Sequence, residues 1–311
     1  MTKNKHINKT LLVVITTLLI IVGGLSGCIR DDTDYYFTHL EIGTGVLEKD
    51  SVKVFYRLFS PAQKSLAGQS LEIIYTEYEI CSDLLNLPIE NLFPLSFVFC
   101  KSDGDIFCII LAKIEKSFAY VDGVLCWSIV GEESIPFKDP INGYMLCHVL
   151  PHEVVDSTIV EKGMDRIYGA WFTEGVAEYA KLMCAQATDH LNNSYWLNMI
   201  EEGLIDLSKQ EERIVNLSNR STFAGFGAPG SEDEYVFYIG SLTYIYDLVD
   251  KFGDEFISDV IANNCTTYEE LRASIENSTG YNINGSIMNV SVGWIKQRYI
   301  SILEELNVDY K

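Results

Sequence analysis

The repeat of apolar residues changes character near the middle of this chain, and that change limits the folds open to it. Before residue 130 the pattern favours strands. Residues 35–58 hold two strand-like runs, and Ser51-Val-Lys-Val-Phe-Tyr-Arg-Leu alternates as a half-buried strand does. Further strands are expected at 95–100, 106–112, 118–121 and 125–130, with Asp-Gly turns at 103–104 and 122–123. One long helix interrupts them, from Pro61 to about Leu85, where Leu66, Leu71, Ile74, Tyr75, Tyr78, Cys81 and Leu85 mostly keep helical spacing. From Ile141 onward the pattern is almost wholly helical, with helices expected at 142–158, 172–187, 192–207, 234–251, 254–263, 267–277 and 288–307. Thr267-Tyr-Glu-Glu270 reads as a capping box, and Gly253 and Gly280 fit helix ends. A polar, glycine-rich loop is expected at about 209–231, and no internal repeat is visible.

Strands first and helices second is an α+β order. It predicts a small N-terminal mixed β-sheet with a long helix (35–140), followed by a mostly helical subdomain (141–311), with a cleft between them.

The N-terminus precedes both. Lys3, Lys5 and Lys9 lead into an apolar run over 11–22 and then Leu25-Ser-Gly-Cys28. The run is short for a spanning helix and fits a secretory signal. Leu-Ser-Gly-Cys resembles a prokaryotic lipobox, so residues 1–27 are expected to be a lipoprotein signal peptide, Cys28 to be lipidated, and 28–34 to be a tether. The competing reading is an uncleaved anchor with an incidental cysteine. Both place the body on the outer face of the cytoplasmic membrane, held there through its N-terminus.

The chain carries a formal charge of −21, and the first 27 residues hold three lysines and no acid, which leaves −24 for residues 28–311. Nucleic acid is therefore excluded as a partner, since binding it requires a cationic surface. Besides Cys28 there are seven cysteines and no CxxC, which argues against a structural zinc knuckle. Cys100 and Cys108 flank the 103–104 turn and could pair across it or remain buried thiols. Seven Asn-x-Ser/Thr sites, between Asn192 and Asn289, would permit surface glycosylation.

The chemistry is carried by two stretches. His152-Glu-Val-Val-Asp156 is the zinc-protease pattern HExxH with Asp in the last place, and Trp171-Phe-Thr-Glu-Gly-Val-Ala-Glu-Tyr179 follows it. Residues four apart share a helix face, so His152 and Asp156 point the same way and can hold a metal ion. Glu153 lies about 100° further round, placed to act as general base on water. Glu174, 18 residues after Asp156, can close the site from a second helix and leave one position open.

Together these residues resemble the gluzincin zinc metallopeptidases, in particular the bacterial and archaeal peptidase MA-like domains. The resemblance spans roughly residues 50–305 and includes the stretch from Tyr235 to Gly253. It implies a thermolysin-like catalytic domain, one zinc ion, a peptide or protein substrate, and Glu174 as third ligand. It also implies a tyrosine donor to the oxyanion, Tyr238 first and Tyr235 second, against the plain alternative that both pack in the core.

The family has His where this chain has Asp156. An aspartate is shorter, makes a His-Asp-Glu site neutral with Zn²⁺, and so acidifies water less. His148, one turn before His152, is a substitute ligand only if Pro151 does not kink that turn. The alternative function is a catalytically inactive peptidase-like lipoprotein that binds peptides or proteins at the cell surface.

Overall fold

The computed structural model describes residues 44–57, 61–93, 96–100, 120–121, 124–128, 140–164, 169–223 and 232–310. The signal segment, Cys28, the 103–104 turn, Cys108 and the expected strand at 106–112 lie outside these residues.

The architecture is α+β. β1 (Thr44–Lys49) and β2 (Val52–Arg57) form an antiparallel hairpin. Its two turn residues, Asp50 and Ser51, both have positive φ (49° and 65°), the geometry of the tightest hairpin turns. Lys49 pairs with Glu72 at 2.7 Å and Tyr75 donates to Asp50 at 2.8 Å, which fastens this turn to the long helix α1 (Pro61–Leu85). α1 leads to β3 (Ser96–Cys100), which pairs parallel with β2, and β4 (Tyr120–Val121) and β5 (Val124–Ser128) complete the sheet. The strand order is β1-β2-β3-β5-β4, with β3–β5 parallel and β4–β5 antiparallel, so the sheet is mixed as the pattern predicts.

α1 begins and ends at the residues expected. Leu71, Ile74, Tyr78, Cys81 and Leu85 enter the core, and Tyr75 stays half-buried with its hydroxyl free to reach Asp50. Two described members of the buried face are polar, Ser70 and Glu77, and Glu77 is 1% exposed.

The helical part departs from expectation at its first member. Instead of one α-helix over 142–158, α2 (Pro140–Tyr144) runs into a π-helical stretch, Met145–Val149, and then into α3 (Leu150–Glu161). Pro151 is the cause. It has no N–H for the Cys147 carbonyl, and its ring would strike that carbonyl in a regular α-turn. The wider π turn absorbs both faults just before His152.

Five larger helices follow: α4 (Ala170–Ala187), α5 (Ser194–Lys209), α6 (Glu232–Phe252), α7 (Glu255–Ala262) and α8 (Tyr268–Thr279). The one-turn α9 (Asn284–Ile287) and then α10 (Val292–Glu305) close the chain. Asn193 caps α5 by accepting from the N–H groups of Tyr195 and Trp196, and the capping box at Thr267 and Glu270 is present. Gly280 ends α8 at φ 70°, a conformation that favours glycine. Inside the expected 209–231 loop, β6 (Ile214–Val215) pairs with β7 (Val290–Ser291), and a 3₁₀ turn covers Arg220–Thr222.

α4 is buried along most of its length and packs against both α3 and α6. Trp171 and Phe172, in its first turn, are fully buried. Gly175 lets the α6 backbone come close: a Cβ there would stand 2.6 Å from the Ser241 carbonyl oxygen and 2.6 Å from Ile245 Cγ1. That close crossing brings Glu174, on α4, toward the face of α6 that carries Tyr238.

Candidate active site

α3 presents His152, the residue next to Pro151, to α4. Its Nε2 lies 3.4 Å from Glu174 Oε2, and its Nδ1 lies 3.0 Å from Glu178 Oε1. The imidazole is thus held between two carboxylates one turn apart on α4. The Nδ1 contact is ionic more than a straight hydrogen bond, because the N–H is turned off the line to the oxygen. Glu178 is anchored by Lys181, whose Nζ reaches both its oxygens at 3.0 and 3.2 Å. Arg220, from the 3₁₀ turn, approaches Glu174 Oε1 at 3.8 Å. Asn219 orders that turn by accepting from the Ser221 N–H at 3.1 Å. The result is a row of alternating charges: Arg220, Glu174, His152, Glu178, Lys181.

A tetrahedral zinc ion with bonds near 2.0–2.1 Å sets neighbouring N and O ligands about 3.3 Å apart. The His152–Glu174 separation fits one such edge. Metal-binding histidines commonly carry a carboxylate on the far ring nitrogen, which fixes the proton there and aims the other lone pair at the ion. Glu178 stands in that position. His152 and Glu174 therefore fit as two ligands. Asp156 lies one turn along α3 from His152 and is half-buried. Among the described residues no three His, Cys, Asp or Glu side chains form a group able to hold a metal ion. The structure thus brings together two of the three expected ligands.

His148 does not join them. It is fully buried, its Nε2 lies 3.0 Å from the His190 carbonyl, and its ring packs between Tyr144 and Trp196. Burial, with the nearby Lys181 charge, lowers its pKa to about 3, so it is a neutral core histidine.

Glu153 and Tyr238 line one cavity of about 330 Å³ together with His152, Glu178 and Lys181, and Trp196, Met199, Ile200 and Ile239 form an apolar wall. The Tyr238 ring meets the His152 ring edge-on, with centroids 6.0 Å apart. Burial first, then the charges of Glu174 and Glu178, push the Tyr238 phenol well up, so it stays protonated and can donate. Tyr235 also lines the cavity, but its hydroxyl donates to Glu202 at 3.3 Å. Tyr238 is the better placed donor of the two.

Sequence reasoning left Glu178 undecided and missed Lys181 and Arg220. Lys181 had a signal: a lysine three residues after a glutamate, within the otherwise apolar end of a buried helix. Arg220 had none, since its place depends on how the loop folds back.

No protein-family model matches the chain, and the search of curated proteins finds no match.

The charge row makes acid stability specific. Burial alone would raise the Glu178 pKa; the charges of Lys181 and His152 outweigh it and bring it from 4.5 down to about 2. A depressed carboxylate stabilises fully above its unfolded value and loses that contribution as pH falls through the folded one. In the metal-free chain, unfolding free energy is expected to fall by about 3 kcal/mol between pH 4.5 and 2 from this group. Urea titrations at pH 5, 3.5 and 2 check it. In Glu178→Gln that part of the slope is expected to vanish; an unchanged slope rejects the assignment.

Proposed function

We propose that this chain is a membrane-anchored, extracytoplasmic zinc metallopeptidase with a thermolysin-like (gluzincin) catalytic domain, tethered through lipid on Cys28. The observation that carries the reading is the His152–Glu174 pair at 3.4 Å, backed by Glu178 on the far side of the imidazole. His152 and Glu174 would hold the ion, with Asp156, one turn along α3, as the third ligand that the sequence pattern implies. When bound, zinc supplies a Lewis acid that polarises a carbonyl and lowers the pKa of water.

The chain's own groups do the rest. Glu153 takes a proton from the attacking water and passes it to the leaving amine. Tyr238 donates its hydroxyl proton in a hydrogen bond to the oxygen that gains charge as the peptide carbon becomes tetrahedral. Glu178 keeps the His152 ring oriented, and Lys181 keeps Glu178 ionised. The apolar wall at Trp196, Met199, Ile200 and Ile239 takes a substrate side chain.

Two observations favour the second reading, a peptide-binding protein without catalysis: Asp156 in the family's histidine position, and the Arg220 guanidinium beside Glu174. Elemental analysis of chain purified without chelator separates the two. About one zinc per chain, with hydrolysis lost on chelation and restored by zinc, is expected for the enzyme. Metal-free protein that still binds peptides, and that gains hydrolysis only in Asp156→His, supports the second reading.

A further inference from the structure

The cavity at His152 also holds two phenols, Tyr144 at the end of α2 and Tyr299 on α10, that have no part in the chemistry above. These residues are only 8% and 4% exposed, yet among the described residues neither hydroxyl has a hydrogen-bond partner in the protein. Polar groups on buried side chains are usually paired. The Tyr144 ring is held in place, stacked on His148 with centroids 5.2 Å apart and tilted against Tyr195 at 5.1 Å. Burial pushes the Tyr299 phenol up against the pull of Lys181, so it stays protonated.

Lys181, 9% exposed, lines the same cavity, with its Nζ 5.8 Å from the Tyr144 ring centroid. It directs contacts of 3.0 and 3.2 Å at the two Glu178 oxygens. An ammonium has three N–H groups, so one is left for a ligand, and the carboxylate beside it keeps a lone pair. A donor and an acceptor side by side complement a carboxamide, whose oxygen accepts while its NH₂ donates. Other side-chain tips match less well. An aliphatic tip leaves the phenols and the ammonium unpaired where water is largely excluded. A carboxylate adds a second negative charge beside Glu178, whose own charge already answers Lys181. An ammonium faces the like charge of Lys181. Trp196 and Ile200 supply an apolar sleeve for the methylene groups behind the tip.

We propose that this part of the cavity is a specificity pocket for a side-chain amide of a peptide, that of glutamine or asparagine. Lys181, Tyr144 and Tyr299 donate to the amide oxygen, and Glu178 accepts from the amide nitrogen. The pocket rests on the function proposed above only in that a peptide enters the cavity, which the enzyme and the peptide-binding protein have in common.

The test is calorimetry on the full chain in detergent, purified without chelator and carrying Glu153→Gln so that no peptide is consumed. The probes are acetyl-Ala-Ala-Xaa-Ala-Ala-amide peptides in which Xaa is Gln, Asn, Glu, Met or Lys. The Gln or Asn peptide is expected to bind about tenfold more tightly than the Met, Glu and Lys peptides; methionine matches glutamine in length but has no amide. Tyr299→Phe, which deletes one unpartnered hydroxyl, is expected to remove most of that preference and to leave the Met peptide and the thermal midpoint unchanged. Tightest binding of Met, Glu or Lys, equal binding or no binding of all the peptides, or a preference that survives both Tyr299→Phe and Tyr144→Phe, overturns the proposal. Hydrolysis by the native chain separates the two claims. An amide preference in binding without hydrolysis removes the peptidase and keeps the pocket, whereas hydrolysis without that preference removes the pocket alone.

Discussion

Glu153→Gln is expected to lower kcat for peptide hydrolysis by about three orders of magnitude, with KM and bound metal little changed. Glutamine has nearly the shape of glutamate but cannot take a proton from water, and a positioned general base contributes about 10²–10⁴ in rate. Glu153 lines the cavity beside His152 and Tyr238 and is not one of the groups proposed to hold metal. Its removal should therefore separate the proton transfer from metal binding. Steady-state kinetics on a quenched fluorescent peptide, with zinc measured on the same sample, provide the check. Retained turnover would remove Glu153 from the mechanism. Loss of zinc together with activity would make it a ligand.

The second large effect concerns stability. Gly175→Ala is expected to destabilise the fold by about 2–3 kcal/mol, because the new methyl has no space. Its carbon would stand 2.6 Å from the Ser241 carbonyl oxygen and 2.9 Å from the Ser241 carbonyl carbon, and backbone atoms of a packed helix cannot move aside as a flexible side chain can. α4 and α6 must separate by several tenths of an ångström at least. A drop of about 5–8 °C in thermal midpoint follows for a body of this size. Gly285→Ala is the control, since nothing lies within 4 Å of a Cβ there. Equal melting of the two variants would show that the α4–α6 crossing has slack. Because Glu174 adjoins Gly175 on α4 and Tyr238 is one turn before Leu242 on α6, the variant is also expected to weaken the site.

Much of the helical structure was legible because its signals are local. The Thr267 cap, the Gly280 terminus and the extent of α1 each depend on a few neighbouring residues whose preferences agree with the tertiary fold. The pattern could not reveal the π turn before Pro151, since a wider turn buries much the same apolar residues: Met145, Leu146 and Cys147 are inside either way. β6 and β7 escaped notice because two-residue strands from distant parts of the chain have no period to detect. The strand expected at 125–130 is β5 at 124–128, paired on one side with β3 and on the other with β4.

The site was legible in its parts and not in its assembly. HExxD and the WFTEG helix supply His152 and Glu174, and helical spacing places each on a face. The meeting of these faces depends on the close α4–α6 and α3–α4 crossings. The wiring beyond them, Glu178 to Lys181 and Glu174 to Arg220, required coordinates.

The five residues Met145–Val149 also fix a phase. Each residue of an α-helix turns its successors by about 100°. Winding the same five residues as a regular α-helix would swing everything after them by nearly that angle, carrying His152 off the line between Glu174 and Glu178. The irregular turn thus acts as a rotational spacer, and the direction of the imidazole is set by the width of that upstream turn as much as by the residues that touch it.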